Sequence, residues 1–388
     1  MGRMGNDERM KILLLTTNTG QGHNSAAGAL SVRLRALGCE TSTGDILKTG
    51  RRNVSAGVSG TYVALVRHAP HFFGGLYHIG EMVSSSRTHS PIYYLNTLYA
   101  DSFRRRLSEI RPDLIVCTHI FSAQALTCLR ERGFDHTPAV AVMTDYCWSP
   151  FWEETRLDRY YIPSPLLTQQ FTSRGIPPEK IVPIGIPASA SPIRDTDRSA
   201  ARHGLSLRED RPVFLCMGGS MGVGDMVRVC RELAGRLPGA QILAVCGSNR
   251  RLYERVAPLP GVRAYAYSDE VERMMRAADV LVTKPGGLTI TEAAVCRLPM
   301  VLTSPIPGGE LYNARFFAGL GMAAFVPRPG EAARVACALA EDAQAAQAMR
   351  QAQARHVPED AAERMARDMT ALVRSLASRV QAEAATGS

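Results

Sequence analysis

The stretch that decides the fold is VLVTKPGGLTITEAAVCRLPMVLTSPIPGGELYN, residues 280–313. Its pattern predicts a buried strand, a turn with two adjacent glycines, a helix with a glutamate in its first turns, a second strand and a Pro/Gly-rich loop. Two glycines between a strand and a helix let a ligand approach the backbone, and the amides of a helix N-terminus favour a phosphate. A carboxylate on that helix can accept two hydrogen bonds from a vicinal diol such as a ribose.

Two interpretations of this stretch stay open. It could be an ordinary strand–turn–helix unit whose glycines serve only the turn. The combination of a glycine turn with a carboxylate on the following helix favours a nucleotide site instead. The residues that the stretch offers to such a site are Lys284, Gly286, Gly287, Thr289, Glu292, Gly309, Glu310 and Asn313.

Composition limits the classes of protein to which the chain can belong. Its 388 residues are enough for two domains that each bury a core, and a hydrophobic content of 45% excludes wholesale disorder. The net charge of +9 indicates an anionic partner: nucleotide phosphates, nucleic acid or a membrane surface. The nine cysteines show no CxxC pair and no zinc-ligand spacing, so we expect buried thiols in a reducing cytoplasm. We expect no signal peptide before Lys11 and no spanning helix, because the required apolar runs are missing.

The N-terminal region opens with a strand pattern over Lys11–Thr16, a polar glycine loop over 18–24 and a helical pattern over 25–37. This order is typical of the first unit of a parallel α/β domain. Gly22 belongs to a partial dinucleotide fingerprint that lacks its third glycine, so the signal is weak. His23 has two interpretations: a solvated polar residue before the helix, or a base that faces a cleft and titrates near neutral pH.

Asp145 follows a predicted strand over 139–144, at the end where parallel sheets carry functional side chains. It could equally cap the next turn, so both roles stay open. After a Pro/Ser/Ala/Asp-rich segment over 186–198, the second half begins in the same style, with a strand over 213–217 and the glycine loop GGSMG over 218–222. Two halves that each open with a strand, a glycine loop and a helix predict paired Rossmann-like domains facing across a cleft.

Residues 48–106 combine basic and aromatic side chains without strand alternation. Cations can meet lipid headgroups while aromatic rings lie at the polar boundary of a bilayer, so this composition favours a membrane-facing surface. A helical insertion with solvated charges is the alternative. Nucleic acid is not expected as a partner, because no DNA- or RNA-binding module accompanies the basic residues. The candidates for contact with an acceptor or a membrane here are Arg51, Arg52, Arg67, Phe72 and Tyr77.

Four motifs together resemble those of a known family: His23 in its glycine loop, GGSMG at 218–222, TKPGGLTITEA at 283–293 and PIPGGELYN at 305–313. The chain resembles the family 28 glycosyltransferases, and within them the monogalactosyldiacylglycerol synthases and the bacterial processive diacylglycerol glucosyltransferases. The resemblance covers most of the chain. It implies a GT-B fold, in which two Rossmann-like domains face each other across a cleft and a C-terminal helix crosses back to the N-terminal domain.

The resemblance also implies a division of labour between the domains. Residues 1–190 would hold the acceptor and face the membrane, and residues 191–358 would bind a UDP-sugar. Residues 359–388 would pack back on the N-terminal domain. Glu292 would bind the ribose hydroxyls, and His23 would be the general base, with Asp145 as the rival base. The other implied donor contacts are the diphosphate at Gly218, Gly219, Ser220 and Gly222, the uracil at Tyr267, and the hexose at Glu310 and Asn313.

Two departures from the family pattern affect these expectations. Gly309 stands where the family commonly has a glutamine, which removes an amide that could bind sugar hydroxyls and leaves the hexose open. After Asp145, an aromatic stretch that includes Trp148 replaces one that often carries a histidine. Trp148 could form a wall on the acceptor side or belong to the core.

The implied reaction is transfer of a hexose from UDP-glucose or UDP-galactose to diacylglycerol, with inversion at the anomeric carbon. No cofactor and no metal are expected, because amides of the glycine turns can stabilise the departing UDP in place of a divalent cation. We expect a cytoplasmic protein that is peripheral on the inner face of the cell membrane. Three alternatives stay open: transfer to a polyprenyl-linked sugar as in peptidoglycan synthesis, a UDP-sugar epimerase, and a UDP-sugar sensor.

Overall fold

The structure of the chain is a computed structural model that describes residues 9–17, 21–45, 90, 93, 100–134, 136–190 and 195–386. Most of the basic and aromatic region therefore lies outside the described residues. Five of its candidates fall there, and their contact with an acceptor or a membrane stays a prediction. These five are Arg51, Arg52, Arg67, Phe72 and Tyr77.

The first half of the described chain forms a parallel sheet of six strands in the order β2-β1-β3-β4-β5-β6. The apolar runs LIVC in β3 and AVAV in β4 are buried throughout, as expected of parallel strands covered on both faces. The strands β1 to β6 are, in chain order, Lys11–Thr16, Glu40–Asp45, Leu114–Cys117, Ala139–Val142, Arg159–Ile162 and Ile181–Pro183. The α-helices of this half are α1 Gln21–Ala36, α2 Ala100–Ile110, α3 Ile120–Glu131 and α4 Thr168–Thr172.

The second half forms another parallel sheet of six strands among the described residues, in the order β12-β11-β10-β7-β8-β9. The strands β7 to β12 are Val213–Met217, Gln241–Val245, Val262–Tyr265, Val280–Thr283, Met300–Leu302 and Ala324–Phe325. The helices α5 to α13 are Asp195–Gly204, Met226–Arg236, Arg250–Val256, Val271–Ala277, Gly287–Val295, Gly309–Gly319, Pro329–Glu341, Ala343–His356 and Ala361–Thr386. The prediction of two Rossmann-like halves is confirmed.

The strand order reverses between β1 and β3 in the first sheet and between β7 and β10 in the second. Ligands of open parallel sheets bind beyond the carboxyl ends of the strands at such a reversal. His23 follows β1 and Thr118 follows β3, whereas the loop 218–222 follows β7 and the turn 284–287 follows β10. The topology alone therefore selects the segments that the sequence motifs had indicated.

The last helix, α13, packs on the first half, as the GT-B fold requires. Met365 and Met369 of α13 share a buried apolar cluster with Ile12 and Leu14 of β1. The carboxylate of Asp368 accepts hydrogen bonds from the side chains of Arg159 and Tyr161, the latter at 2.7 Å. The polypeptide thus returns to the first half after completing the second, and this predicted crossing is confirmed. The domain limits at residues 190 and 358 stay predictions.

The chain leaves the first half near Gly185 and returns to it near Pro358, and these two points lie close together. Gly185 has a φ of +120°, and a Cβ on it would lie 2.8 Å from Cγ of Pro358. Glycine is needed there for both the backbone conformation and the close approach. No helix in the described part of the chain combines the length and the apolar character of a membrane span.

Two differences from the predicted element boundaries affect the candidate site residues. Helix α1 begins at Gln21 rather than at residue 25, so Gly22 and His23 lie in its first turn. Glu310 and Asn313, which were predicted to lie in a loop, lie in helix α10, and that prediction was wrong. The physical reason is Gly308, whose φ of 107° turns the chain directly into the helix after the proline.

Candidate active site

A cavity of about 580 Å³ lies between the carboxyl ends of the two sheets. It is lined both by the first turn of α1 and by the turn that precedes α9, so the histidine and the glycine-rich motifs face one space. The predicted site residues that line it are Gly22, His23, Asp145, Gly219, Ser220, Tyr267, Lys284, Gly286, Gly287, Thr289, Glu292 and Glu310. Gly218, Gly222, Gly309, Asn313 and Trp148 are not among the described lining residues.

The glycine loop after β7 is closed by two of its own backbone bonds, from Gly222 N to Gly219 O (3.0 Å) and from Val223 N to Gly218 O (2.9 Å). Gly219 has a φ of +68°, and a Cβ there would lie 2.5 Å from Cε of Lys284. A side chain at this position would therefore displace the lysine. Gly218 and Gly222 take part in these loop bonds and are not among the described lining residues, whereas Gly219 and Ser220 line the cavity.

The second glycine turn joins the two halves. A Cβ on Gly287 would lie 1.9 Å from the carbonyl oxygen of Thr144, which belongs to the first half. No side chain fits there, because the obstacle is backbone rather than a movable side chain. Gly286 caps α9, and Thr289 in the first turn of the helix lines the cavity. The positive end of the α9 dipole therefore lies at the cavity.

Glu292 lies one turn further along α9 and is largely shielded from solvent. Burial, and then the negative charge of Glu272, raises the pKa of its carboxyl to about 7. Near neutral pH this group therefore exists in both protonation states, and it can donate as well as accept hydrogen bonds.

Lys284 and Glu310, which both line the cavity, form an ion pair with side chains that are 12% and 14% exposed. The other carboxylate oxygen of Glu310 accepts a hydrogen bond of 2.9 Å from Ile306 N. Among the described lining residues, Lys284 is the only lysine or arginine. The carboxylates among them are Asp145, Asp269, Glu272, Glu292 and Glu310. An anionic ligand would therefore be bound by backbone amides, a helix dipole and one ammonium group.

His23 is fixed by the carbonyl oxygen of Thr118, which lies 2.7 Å from its Nδ1. Because a carbonyl only accepts, Nδ1 carries the proton, and Nε2 of the neutral ring keeps its lone pair. Burial lowers the pKa of His23, opposed by the charge of Asp145 and by the bond to Thr118. Its ring is therefore a neutral base near pH 7.

Asp145 lines the cavity but is already engaged by Asn313 of the second half. Nδ2 of Asn313 donates to Oδ1 of Asp145 (2.7 Å) and to the carbonyl of Pro285 (3.1 Å). Its Oδ1 accepts from Tyr146 N (2.6 Å), and its side chain is fully buried. Asn313 therefore bonds to residues of both halves. Its predicted contact with a hexose stays a prediction.

The two predicted aromatic positions that the structure describes differ in their exposure. Tyr267 lies at the rim of the cavity and is 61% exposed, so its ring is available to a ligand. Trp148 is buried and packs edge-on against Phe171, with ring centroids 5.0 Å apart. The structure therefore places Trp148 in the core, the alternative that the sequence left open, rather than in the wall of the cavity.

Sequence reasoning missed three titratable residues that line the cavity: His119, Asp269 and Glu272. A signal for His119 was present, because it follows the buried strand β3 by two residues, at the sheet end where functional side chains collect. The described residues contain no group of three His, Cys, Asp or Glu side chains suited to hold a metal ion.

Comparison with known families agrees with this geometry. Residues 23–188 match the family described as monogalactosyldiacylglycerol (MGDG) synthase, and residues 213–366 match the glycosyltransferase family 28 C-terminal domain. The chain is a glycosyltransferase. The prediction of a glycosyltransferase is thereby confirmed. The first matched region contains strands β2 to β6 of the first sheet, and the second contains all six strands of the second sheet.

Individual proteins similar to this glycosyltransferase support the same assignment. The chain is 27% identical over 351 residues to a processive diacylglycerol beta-glucosyltransferase of Bacillus pumilus (strain SAFR-032), covering 88% of this chain and 89% of that one. The calicheamicin glycosyltransferase CalG4 has the same fold, with a TM-score of 0.63, 15% identity and coverage of 96% and 100%. The UDP-GlcNAc 2-epimerase of Neisseria meningitidis, with a TM-score of 0.56, 11% identity and coverage of 94% and 99%, shares it too. The GT-B fold is therefore confirmed, and the fold alone does not separate transferases from epimerases.

Proposed function

We propose that this glycosyltransferase transfers a hexose from a UDP-hexose, either UDP-glucose or UDP-galactose, to a hydroxyl of diacylglycerol. The observation that carries the proposal is that the His23 imidazole and the glycine turns around Lys284 line one cavity. The similarity to the diacylglycerol glucosyltransferase of Bacillus pumilus supports the choice of acceptor.

The donor lies on the second half in this proposal. The amides of Gly219 and Ser220 and the N-terminus of α9 bind the diphosphate, because they combine unpaired N–H groups with a positive dipole end. Lys284 adds the one ammonium charge, and Glu292 binds the ribose hydroxyls. Tyr267 flanks the uracil at the rim. No metal or other cofactor is part of the proposal, since amides and an ammonium can stabilise the departing diphosphate.

His23 acts as the general base. Its Nε2 takes the proton of the acceptor hydroxyl while the oxygen forms a bond to the anomeric carbon. The bond from that carbon to the phosphate oxygen breaks, and UDP leaves with the electron pair on the opposite face, so the configuration inverts. Proton transfer of this kind typically contributes about 10²–10⁴-fold to a rate.

Asp145 is the weaker candidate for the base. One of its carboxylate oxygens already accepts a hydrogen bond from Asn313, and its negative charge raises the pKa of His23. We therefore assign Asp145 the role of stabilising the imidazolium that forms when His23 takes the proton.

The acceptor is a lipid, so the protein works at a membrane surface, which we place at the inner face of the cell membrane. The net charge of +9 favours an anionic bilayer, and the basic and aromatic residues of 48–106 are the docking candidates. Added salt should weaken binding to anionic vesicles, since salt screens exposed charges. Vesicle binding that is absent, or independent of salt, would contradict this part of the proposal.

The test is incubation with UDP-glucose and UDP-galactose separately, in the presence of diacylglycerol vesicles, followed by mass analysis of the lipids. A hexosyl-diacylglycerol from either donor supports the proposal, and further hexose increments would show successive transfers. A product formed only with a polyprenyl-linked sugar, or conversion of the nucleotide sugar without any lipid, would replace it with one of the alternatives.

A further inference from the structure

His119 lines the cavity beside His23 and has no role in the reaction proposed above. The two imidazole rings lie edge to face, with centroids 4.7 Å apart and planes at 82°. The ring of Phe121 lies against His119 in turn, with centroids 4.5 Å apart. His23 is therefore held by a packed group of rings, and its own rotation is restricted by this group.

The backbone around His119 fixes which of its nitrogens carries a proton. His119 is the N-cap of α3, and its Nδ1 accepts a hydrogen bond of 3.2 Å from Phe121 N. Nδ1 therefore has no proton, and the neutral ring carries its proton on Nε2. Protonation of Nδ1 would break the cap and place a positive charge at the positive end of the helix dipole. Burial and the neighbouring His23 lower the pKa of His119 well below its ordinary value. His119 thus stays neutral when His23 takes a proton.

The peptide between Thr118 and His119 connects this cap to the base. Thr118 is bound on one side, where its N and Oγ1 both lie 3.1 Å from the carbonyl of Leu15 in β1. On the other side, the cap binds His119 to α3, and Ser122 Oγ donates to the His119 carbonyl (2.8 Å). The Thr118 carbonyl, which accepts the Nδ1 proton of His23, is therefore held from both ends.

We propose that His119 is a positioning residue that keeps His23 in the tautomer with the proton on Nδ1, so that Nε2 is the basic atom. It does so in two ways. Its cap to α3 fixes the Thr118 carbonyl that binds Nδ1–H, and its neutral ring packs against the base without competing for the proton. Among the described residues that face His23, the titratable ones are His119 and Asp145; α9 presents the aliphatic Leu288 to the backbone of Gly22.

Two substitutions of His119 separate the effect of its N-cap hydrogen bond from the effect of its ring. His119→Asn keeps an N-cap acceptor but removes the ring, so water reaches His23 and its pKa rises towards the ordinary value. His119→Phe keeps a ring but removes the cap, so the Thr118 carbonyl is released and the fraction of His23 protonated at Nε2 increases. His203→Asn is the control, because His203 is exposed and does not line the cavity.

The direct measurement is the ¹⁵N and ¹³C NMR titration of the imidazoles in the full chain, with His23 assigned by its absence from His23→Gln. In the wild type, we expect the Nδ1–H tautomer at His23 and the Nε2–H tautomer at His119. His119→Asn should raise the pKa of His23, and His119→Phe should change its tautomer ratio. The opposite tautomer at His23 in the wild type, or two folded variants that leave both its pKa and its tautomer unchanged, would overturn the proposal.

The kinetic measurement rests on the proposed transfer reaction. The acid limb of the pH profile of kcat/KM should move to higher pH in His119→Asn, with kcat lower by roughly 10-fold or more, a part of the factor that a general base supplies. UDP binding should be unchanged. A wild type without transfer activity would refute the proposed function while leaving the tautomer and pKa results to decide the role of His119. A purely structural role would lower kcat without moving the acid limb.

Discussion

The two walls of the cavity are built on different principles. The wall from the second half depends on the shape of the backbone: Gly219 and Gly287 stand where a Cβ would meet Lys284 or the carbonyl of Thr144. The wall from the first half depends on side chains that titrate, with His23 and His119 packed together and Asp145 nearby. In the proposed reaction the second half forms the donor wall and the first half forms the acceptor wall. The donor wall should therefore be sensitive to added volume and lost charge, whereas the acceptor wall should be sensitive to the protonation state of its histidines.

The acceptor wall should show the largest single effect. His23→Ala removes the proposed base, so the rate of transfer should fall about 10²–10⁴-fold, while UDP affinity is retained. Product formation with diacylglycerol vesicles measures the first quantity, and calorimetric titration with UDP measures the second. His203→Ala is the matched control. Unchanged turnover in His23→Ala would remove this residue from the mechanism.

On the donor wall, Lys284 supplies the charge. Lys284→Met should weaken UDP binding by about 1.5–3 kcal/mol, the usual worth of a hydrogen bond to a charged group. Glu310→Gln should have the opposite sign or no effect, because it releases Lys284 from its ion pair. UDP titrations of both variants make the comparison. Equal losses in the two variants would mean that the ion pair, rather than the free ammonium, binds the nucleotide.

The same wall can be tested through volume alone. Gly287→Ala introduces a Cβ that would lie 1.9 Å from backbone of the other half, so the halves must shift. The expected cost is about 1–3 kcal/mol, typical of overpacking, measured by denaturant unfolding together with UDP titration. Gly235→Ala in α6 is the control, since nothing lies within 4 Å of its added Cβ and alanine favours a helix. Equal unfolding curves for the two variants would contradict the close contact.

Glu292 should give an effect that is small over any one pH unit and is visible as a pH dependence. Its pKa is raised to about 7, so between the ordinary value of 4.5 and pH 7 the folded chain holds a proton that the unfolded chain has lost. Stability therefore falls as pH rises through this window, by at most about 1.4 kcal/mol per pH unit from this group. Glu292→Gln should flatten that slope in unfolding measurements from pH 5 to 8. An identical slope in both proteins would show that the carboxyl is not buried in solution.

The sequence predicted the donor wall better than the acceptor wall, for physical reasons. Residues 280–313 combine a strand, a glycine turn and a helix whose periods and breaks are local, so the pattern sufficed. The pattern did not predict the helix that contains Glu310, because proline and glycine predict a loop there, whereas the positive φ of Gly308 starts a helix. His119 was missed because its importance depends on adjacency to His23, and the two are brought together only by the pairing of β1 with β3.

Asn313 was predicted as a ligand contact, which stays a prediction, and the structure adds contacts of its side chain that a motif cannot show. An amide beside a glycine-rich segment can serve a substrate or its own backbone. Here it bonds to Asp145, Tyr146 and Pro285 across the two halves. Only three-dimensional contacts distinguish these uses, because both require the same hydrogen-bonding groups.

The adjacency of Gly185 and Pro358 has a mechanical consequence. Because Gly185 and Pro358 touch, the chain leaves the first half and returns to it at neighbouring points. Two halves that are connected at neighbouring points can rotate about those points without straining either connection. Sliding of one half along the other would strain both connections. In the proposed reaction, release of UDP would therefore involve rotation of one half relative to the other about Gly185, and the hydrogen bonds of Asn313 to the first half would have to break first.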